Sequence, residues 1–141
     1  TLFRFKVGAQ SYLLDDFQKD PQGIADRFRF EQHYVTKSVR GGVRFWPKDW
    51  VRHYRAHCLP GYIGRYFRPA VLPKNARVIA FPGEPNPGDA LVGQWSNGTP
   101  VTAKAHLLNL FHPEKRVHKS WRGHFCCFQK PCPFVQVHWR E

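Results

Sequence analysis

The chain lacks methionine, has few acidic side chains and contains no long apolar run. Methionine is absent altogether, and residues 1–5 read as a strand already in progress, so we expect a processed chain or the C-terminal piece of a longer one. No segment is apolar over the length that a membrane span needs, and no signal peptide is recognisable. A cytoplasmic protein is therefore expected. At 141 residues the chain is long enough for one domain with a hydrophobic core.

Basic residues outnumber acidic ones by more than two to one. The 22 Lys+Arg against 10 Asp+Glu give a formal net charge of +12. This excess predicts an anionic partner: nucleic acid, an anionic lipid surface or a phosphate-bearing substrate. The bases are scattered, so a solvated basic surface is an equal interpretation of any single one. Aromatic residues are dense, with 12 Phe, 5 Tyr and 5 Trp, and they suit stacking on bases or sugars as well as packing in a core.

Cysteine is used in no metal-binding pattern. The cysteines form no Cys-x-x-Cys pair and follow no secretory signal, so reduced thiols in a reducing compartment are expected. Histidines lie near three of them in the tail, but the spacing fits no structural zinc pattern well. Inert thiols are the favoured interpretation of Cys58, Cys126, Cys127 and Cys132.

The first third of the chain predicts one strand and two helices. Side chains alternate over residues 2–7 with the period of a strand. A short helix is expected over residues 12–19. Asp20 as N-cap and Pro21 at the first helical position predict a second helix that runs to about Ser38.

The remainder predicts short elements separated by turns. Proline and glycine punctuate it closely, which limits each element to a few residues. In order, we expect a short strand over 43–47, an irregular strand over 49–57, a loop over 59–73, a strand over 77–81, one helical turn over 87–92, a helix over 102–111 and a basic, irregular segment over 115–130.

A carboxylate interrupts the apolar stripe of the second helix. The stripe has helical spacing and comprises Ile24, Phe28, Glu31, Val35 and Val39. Burying a charge is costly unless it is paired or used. A salt bridge to a neighbouring arginine is one interpretation of Glu31. The other is that Glu31 and the adjacent Gln32 point into a site.

The most informative stretch is residues 76–87, where an apolar strand runs into a turn rich in glycine and proline. The strand residues end at Phe81, and the turn follows as Pro82-Gly-Glu-Pro-Asn-Pro87. A strand that ends in a rigid loop with glycine is how α/β enzymes present backbone N–H groups to a ligand. The turn therefore predicts a ligand site at the carboxyl edge of a sheet.

Three blocks of sequence together resemble the C-terminal half of bacterial glycosyltransferases with a GT-A type fold. The turn block resembles the His-Phe-x-Gly-x-x-Lys-Pro loop of glycogenin-like and lipopolysaccharide glycosyltransferases. The resemblance covers about residues 1–95 and the tail Val137-His-Trp-Arg-Glu141, whereas residues 96–133 match nothing. The first block is residues 2–18, and the third is residues 80–87. The second block comprises Arg29–Thr36, Val43–Trp50 and Arg55–Pro60.

The resemblance implies an α/β fold, the C-terminal part of a GT-A-like nucleotide-diphospho-sugar transferase with a mixed sheet and flanking helices. Residues 1–95 would form half of the catalytic domain, and residues 96–141 a basic, irregular extension. The implied activity transfers a sugar from a nucleotide-diphosphate donor to a glycan or lipid-linked acceptor. The implied site roles are Glu31 and Gln32 as catalytic residues on the sugar side, Gly83, Asn86, Arg52, Arg55 and His57 at the donor diphosphate, and Trp46 and Trp50 stacked on the acceptor.

The chain departs from the family pattern at the metal and phosphate positions. Ala80 replaces the histidine that helps to bind a divalent metal, and Asn86 replaces the lysine that meets the donor phosphates. The family's Asp-x-Asp metal motif belongs to the N-terminal half. A divalent metal, Mn or Mg, is therefore implied for the intact enzyme with ligands outside this chain, and residues 1–141 alone are expected to be inactive.

Other interpretations account for the same composition. The arginines and aromatics also suit a basic nucleic-acid-binding module, although no recognised motif for one is present. The replacements at Ala80 and Asn86 equally suit a non-catalytic remnant of the transferase fold. A basic, aromatic surface would also fit peripheral contact with an anionic inner membrane.

Overall fold

The structure is a computed structural model that describes residues 4–138. The chain divides into two compact units, Thr1–Trp46 and Pro47–Glu141. Short helices and one two-stranded parallel sheet make up the regular structure of the described residues. The broad α/β prediction is confirmed at that level. The boundary expected between residues 95 and 96 falls inside the second unit.

The first unit contains three helices: α1 (Ser11–Lys19), α2 (Pro21–Arg27) and α3 (Glu31–Ser38). The predicted start of α2 is confirmed, since the Asp20 carboxylate accepts a hydrogen bond from the Gly23 N–H at 3.0 Å and Pro21 is the first helical residue. Leu13 and Ile24 are the buried residues of these helices.

The single helix predicted from Pro21 to about Ser38 is wrong, because the chain is extended at Phe28 and Phe30. The Phe28 ring packs edge-on against Tyr34 with centroids 5.4 Å apart, and the Tyr34 hydroxyl donates to the Leu13 carbonyl at 2.7 Å. This packing folds α3 back on the preceding helices. Glu31 therefore does not lie in a buried stripe.

Two predicted strands of the first unit are also absent from the part that the structure describes. Residues 4–7 and 43–47 contain no strand, and residues 2 and 3 lie outside the described range. The alternating side chains Phe5 and Val7 are exposed. A strand without a partner leaves its backbone groups unpaired, so local alternation alone does not form one.

The second unit begins with a small parallel sheet. Strand β1 (Val51–His53) pairs with β2 (Val78–Ala80) in a register that places His53 beside Ala80. The strand predicted over 77–81 is confirmed. The irregular strand expected over 49–57 is right only for β1, because Tyr54–Cys58 forms a π-helical turn. The predicted loop over 59–73 contains one 3₁₀ turn, Gly64–Tyr66.

Four short helices complete the second unit. They are α4 (Pro87–Val92), α5 (Ala103–Leu108, continued by the 3₁₀ turn Asn109–Phe111), α6 (Trp121–Cys126) and α7 (Pro133–His138), with a further 3₁₀ turn at Pro113–Lys115. The turn predicted over 87–92 and the helix predicted over 102–111 are confirmed. The irregular segment expected over 115–130 is wrong for α6, whose start is capped by the Ser120 side chain.

The core of the second unit gathers around Tyr54. Its hydroxyl donates to Gln129 Oε1 at 2.7 Å, and both side chains are buried. Helix α4 packs against α7, and the Cys132 N–H donates to the Ala90 carbonyl at 2.9 Å. All four cysteines are free thiols. Among the described residues, no helix combines the length and the apolar composition that crossing a membrane requires.

Candidate functional site

The two segments that follow the parallel strands leave the sheet at the same edge. His53 and Ala80 are register partners, and the next residues, Tyr54 and Phe81, stack with ring centroids 4.4 Å apart and planes 21° apart. The π-helical turn and residues 82–86 therefore start side by side. The carboxyl edge of parallel strands is where open α/β sheets bind ligands.

Gly83 gives the turn after β2 its shape. Its φ of +72° is a left-handed conformation that favours glycine, and no heavy atom lies within 4 Å of the place where a Cβ would stand. No group among the described residues accepts a hydrogen bond from the Gly83 N–H. The turn thus offers an open backbone donor at this edge.

Asn86 ends the turn by capping α4. Its side-chain oxygen accepts from the Asp89 N–H at 2.9 Å, and the Asp89 carboxylate accepts from the Asn86 N–H at 3.0 Å. This reciprocal pair is a capping box, and it holds both residues in place. The side-chain oxygen of Asn86 is therefore engaged within the protein, which leaves its amide nitrogen for a ligand.

The residues of β1 and the π-helical turn contribute cations and imidazoles. Arg52 forms an ion pair with Asp49, and its buried Nε has no hydrogen-bond partner in the described part of the chain. The His57 Nδ1 lies 2.9 Å from the His53 backbone nitrogen and 3.2 Å from the His53 carbonyl oxygen, so this imidazole is tied to the end of β1. Burial, followed by the proximity of Arg55 and His57, lowers the pKa of His53. His53 is therefore neutral at physiological pH.

Arg65 is a buried cation that the sequence analysis did not single out. Its Nε donates to the Pro60 carbonyl at 3.0 Å and its Nη1 to the Cys126 carbonyl at 2.7 Å. The guanidinium also lies over the rings of Tyr62 and Trp95, at 4.9 and 5.7 Å from their centroids. Of the carboxylates that the structure describes, none is within ion-pair distance of Arg65.

A buried charge without a counter-ion is expensive, and such groups cluster at functional sites. Burial lowers the pKa of Arg65, and the nearby charge of Arg55 acts in the same direction. Arg65 remains protonated, since an arginine loses its proton only far above physiological pH. The sequence signal that could have identified it is its position between two tyrosines, Tyr62 and Tyr66, because arginine stacks on aromatic faces.

The Cys127 thiol is a further titratable group of the second unit. Burial and then the neighbouring Cys126 raise the pKa of Cys127, whereas Arg65 and Arg55 lower it and Glu84 raises it. The net direction is upward, so Cys127 is a neutral thiol and not an activated nucleophile. Arg65, Arg55 and Glu84 all act electrostatically on this thiol.

The predicted acceptor residue Trp50 lies at the other end of the sheet. Its carbonyl accepts from the N–H groups of Arg77 and Val78, at 2.8 and 2.9 Å, which places it before β1 at the amino edge. Three strand residues, or roughly 10 Å, separate it from the carboxyl edge. Trp46 is half-buried at the end of the first unit.

The predicted catalytic residues belong to the first unit. Glu31 is exposed at the first position of α3, where the helix dipole favours a carboxylate. The Gln32 amide donates to Glu31 Oε1 at 3.0 Å. Glu31 also lines a cleft of about 470 Å³ whose apolar walls include Leu13, Phe28 and Tyr34. The remaining predicted site residues, Arg52, Arg55, His57, Gly83 and Asn86, belong to the second unit.

The last two findings concern metal binding and similarity to known proteins. Within residues 4–138, no three or more His, Cys, Asp or Glu side chains are grouped so that they could hold a metal ion. No protein-family model, no curated protein and no solved structure matches the chain.

Proposed function

We propose that the chain is the C-terminal half of a GT-A-like glycosyltransferase whose second unit binds the diphosphate of a nucleotide-sugar donor. The observation that carries this proposal is the parallel pairing of β1 and β2. It sends the segment with Arg55 and the turn with Gly83 off the same edge. A cation and an open backbone N–H at one edge are the groups that a diphosphate requires.

The chemistry of sugar transfer explains why such groups would matter. The leaving diphosphate gains negative charge as the glycosidic bond breaks, so fixed positive groups aimed at it lower the barrier. Arg55 is exposed and available to a ligand, whereas Arg65 is held in place by two carbonyls and two aromatic rings. We assign direct phosphate contact to Arg55. To Arg65 we assign a contribution to the positive electrostatic potential of the site.

The other roles follow from the resemblance. By the resemblance alone we assign Glu31 and Gln32 as stabilising carboxylate and orienting amide, and Trp46 and Trp50 as acceptor-stacking residues. A divalent metal, when bound, would neutralise diphosphate charge as a Lewis acid. The described residues contain no cluster of three or more His, Cys, Asp or Glu side chains that could hold it. Ala80 stands where the family has a metal-binding histidine. The proposal therefore assigns this chain no metal ligand.

A matched pair of arginine variants tests the proposal in the full-length protein. Arg55 follows the carboxyl end of β1, whereas the exposed Arg77 precedes the amino end of β2. The assay measures the release of nucleoside diphosphate from a panel of nucleotide-diphosphate sugars. Arg55→Gln should lower kcat/KM about tenfold or more, because the variant loses a charge-assisted hydrogen bond to the phosphate. In Arg77→Gln, kcat/KM should stay within about twofold of the wild-type value, because an exposed charge away from the site contributes little. Equal effects of the two variants, or no turnover of any donor, would contradict the proposal.

A further inference from the structure

Helices α5 and α6 carry an apolar surface that the protein leaves uncovered. Phe111 is 80% exposed, Trp121 62% and Leu108 55%, and Leu107 is exposed as well. Leu108 and Phe111 are three residues apart, and Leu107 and Phe111 four, so these side chains share one side of the helical segment. We call the surface formed by Leu107, Leu108, Phe111 and Trp121 the α5–α6 face.

Packing inside the second unit holds this face outward. The buried residue of α5 is His106, whose ring stacks on that of His124 in α6, so imidazoles occupy the contact between the helices. Helix α6 also packs against the 3₁₀ turn that carries Phe111. Trp121 is the first residue of α6, the helix that packs against this turn.

The segment that carries these apolar side chains is strongly basic. Residues 96–133 contain one acidic residue, Glu114, which lies 3.5 Å from His112. Lys115 is held beside the 3₁₀ turn, since its carbonyl accepts from the Asn109 amide at 3.3 Å, and Arg116 Nε donates to the Leu110 carbonyl at 3.0 Å. The basic residues of this segment are Lys104, Lys115, Arg116, Lys119, Arg122 and Lys130.

We propose that the α5–α6 face docks the protein on the surface of an anionic lipid bilayer. Exposed leucine and phenylalanine enter the boundary between headgroups and acyl chains, tryptophan resides at that boundary, and lysine and arginine bind the anionic headgroups. This inference is independent of the proposed transferase activity.

The chemistry of the face favours lipid over other partners. A second copy of the chain would bring the same basic residues together, and like charges oppose that contact. Single-stranded nucleic acid stacks its bases on aromatic rings, to which aliphatic side chains such as Leu107 and Leu108 contribute nothing. A bilayer uses the aliphatic, aromatic and basic components together.

Vesicle binding with a matched pair of variants tests this proposal. The chain is sedimented with vesicles of phosphatidylcholine alone and with 30% phosphatidylglycerol, a composition chosen to give an anionic surface like that of a natural leaflet, roughly tens of millivolts negative. Phe111→Ser should weaken binding to the anionic vesicles about tenfold or more, since a buried aromatic ring is worth that much. Phe67→Ser removes another exposed ring and should change binding less than about twofold.

A tryptophan variant locates the contact. Quenching of fluorescence by brominated lipid should fall strongly in Trp121→Phe while binding persists, because phenylalanine keeps the apolar contact. Equal binding of Phe111→Ser and wild type would overturn the proposal, as would equal binding to neutral and anionic vesicles. Binding to an oligonucleotide that depends on Phe111, without binding to vesicles, would assign the face to nucleic acid instead.

Discussion

The rings of His106 and His124 stack in the interior of the second unit, with centroids 3.9 Å and planes 12° apart. Each Nε2 donates to the other's backbone carbonyl, His106 to His124 at 2.9 Å and His124 to His106 at 2.8 Å. The Val117 N–H donates to His124 Nδ1 at 2.9 Å, whereas the buried His106 Nδ1 has no hydrogen-bond partner among the residues that the structure describes. These bonds place a proton on Nε2 of each ring and join α5 to α6.

The first prediction concerns acid stability. Burial, followed by the His124 ring, lowers the pKa of His106 to about 4, from an ordinary value of 6.5 in the unfolded chain. Between these values the unfolded state binds a proton that the folded state does not. The contribution of the neutral His106 ring to the free energy of unfolding is therefore fully present above pH 6.5 and is lost as the pH falls toward 4. The loss is at most about 1.4 kcal/mol per pH unit.

Urea unfolding of wild type and His106→Gln at several pH values measures this effect. The variant should be less stable at neutral pH but should show a shallower decline between pH 6.5 and 4, since the titrating ring is gone. His112→Gln, which alters an exposed imidazole, should keep the wild-type slope. An unchanged slope in His106→Gln would show that other groups govern the decline.

The second prediction concerns the geometry of Arg65. Its fork reaches two carbonyls, those of Pro60 and Cys126, and a lysine ammonium cannot reproduce this planar arrangement. Arg65→Lys should lower the free energy of unfolding by about 2 kcal/mol, because a buried acceptor loses its donor. The exposed Arg68 provides the control, and Arg68→Lys should cost less than about 0.5 kcal/mol in the same urea titration.

The third prediction separates backbone strain from steric clash at two glycines. Gly93 and Gly98 both have φ of +79°, but a Cβ on Gly93 would lie 2.6 Å from Pro131 Cδ, whereas a Cβ on Gly98 would meet open space. Gly98→Ala should cost about 1 kcal/mol for the left-handed conformation. Gly93→Ala should cost about 1–3 kcal/mol more because it also overpacks. Equal losses in thermal or urea unfolding would refute the contact between Gly93 and Pro131.

The fourth prediction concerns the turn at the candidate site. Asn86→Ala removes one half of the capping box with Asp89 and should lower the free energy of unfolding by about 1 kcal/mol. Asn97→Ala, an exposed replacement in another turn, should change it by less than about 0.5 kcal/mol. Unfolding of both variants in urea provides the comparison. A neutral Asn86→Ala would mean that the box does not hold the turn.

Sequence reasoning succeeded where the signal is local. Asp20 and Pro21 start α2 as expected, because an N-cap and a proline act on their own turn. Helix α4 has the predicted bounds because Pro87 opens it and Gly93 closes it in the left-handed conformation. The strand over 78–80 was recognisable from its apolar run alone.

Sequence reasoning failed where distant contacts decide. The break before Glu31 depends on Phe28 packing against Tyr34, which no periodicity reveals. The pairing of β1 with β2 joins segments separated by a long loop, and this pairing makes the segment with Arg55 and the turn with Gly83 leave the sheet at the same edge. Arg65 looked like one of many scattered bases, and only tertiary structure shows that it is buried and that no carboxylate within residues 4–138 forms an ion pair with it.

The most direct test of the central claim is the in-frame translation of the DNA upstream of the codon for Thr1. If this chain is the second half of a GT-A-like transferase, the upstream sequence should encode a βαβ nucleotide-binding half with an Asp-x-Asp pair. An in-frame stop codon or an unrelated domain in that place would contradict the claim and leave a basic protein without a transferase partner half.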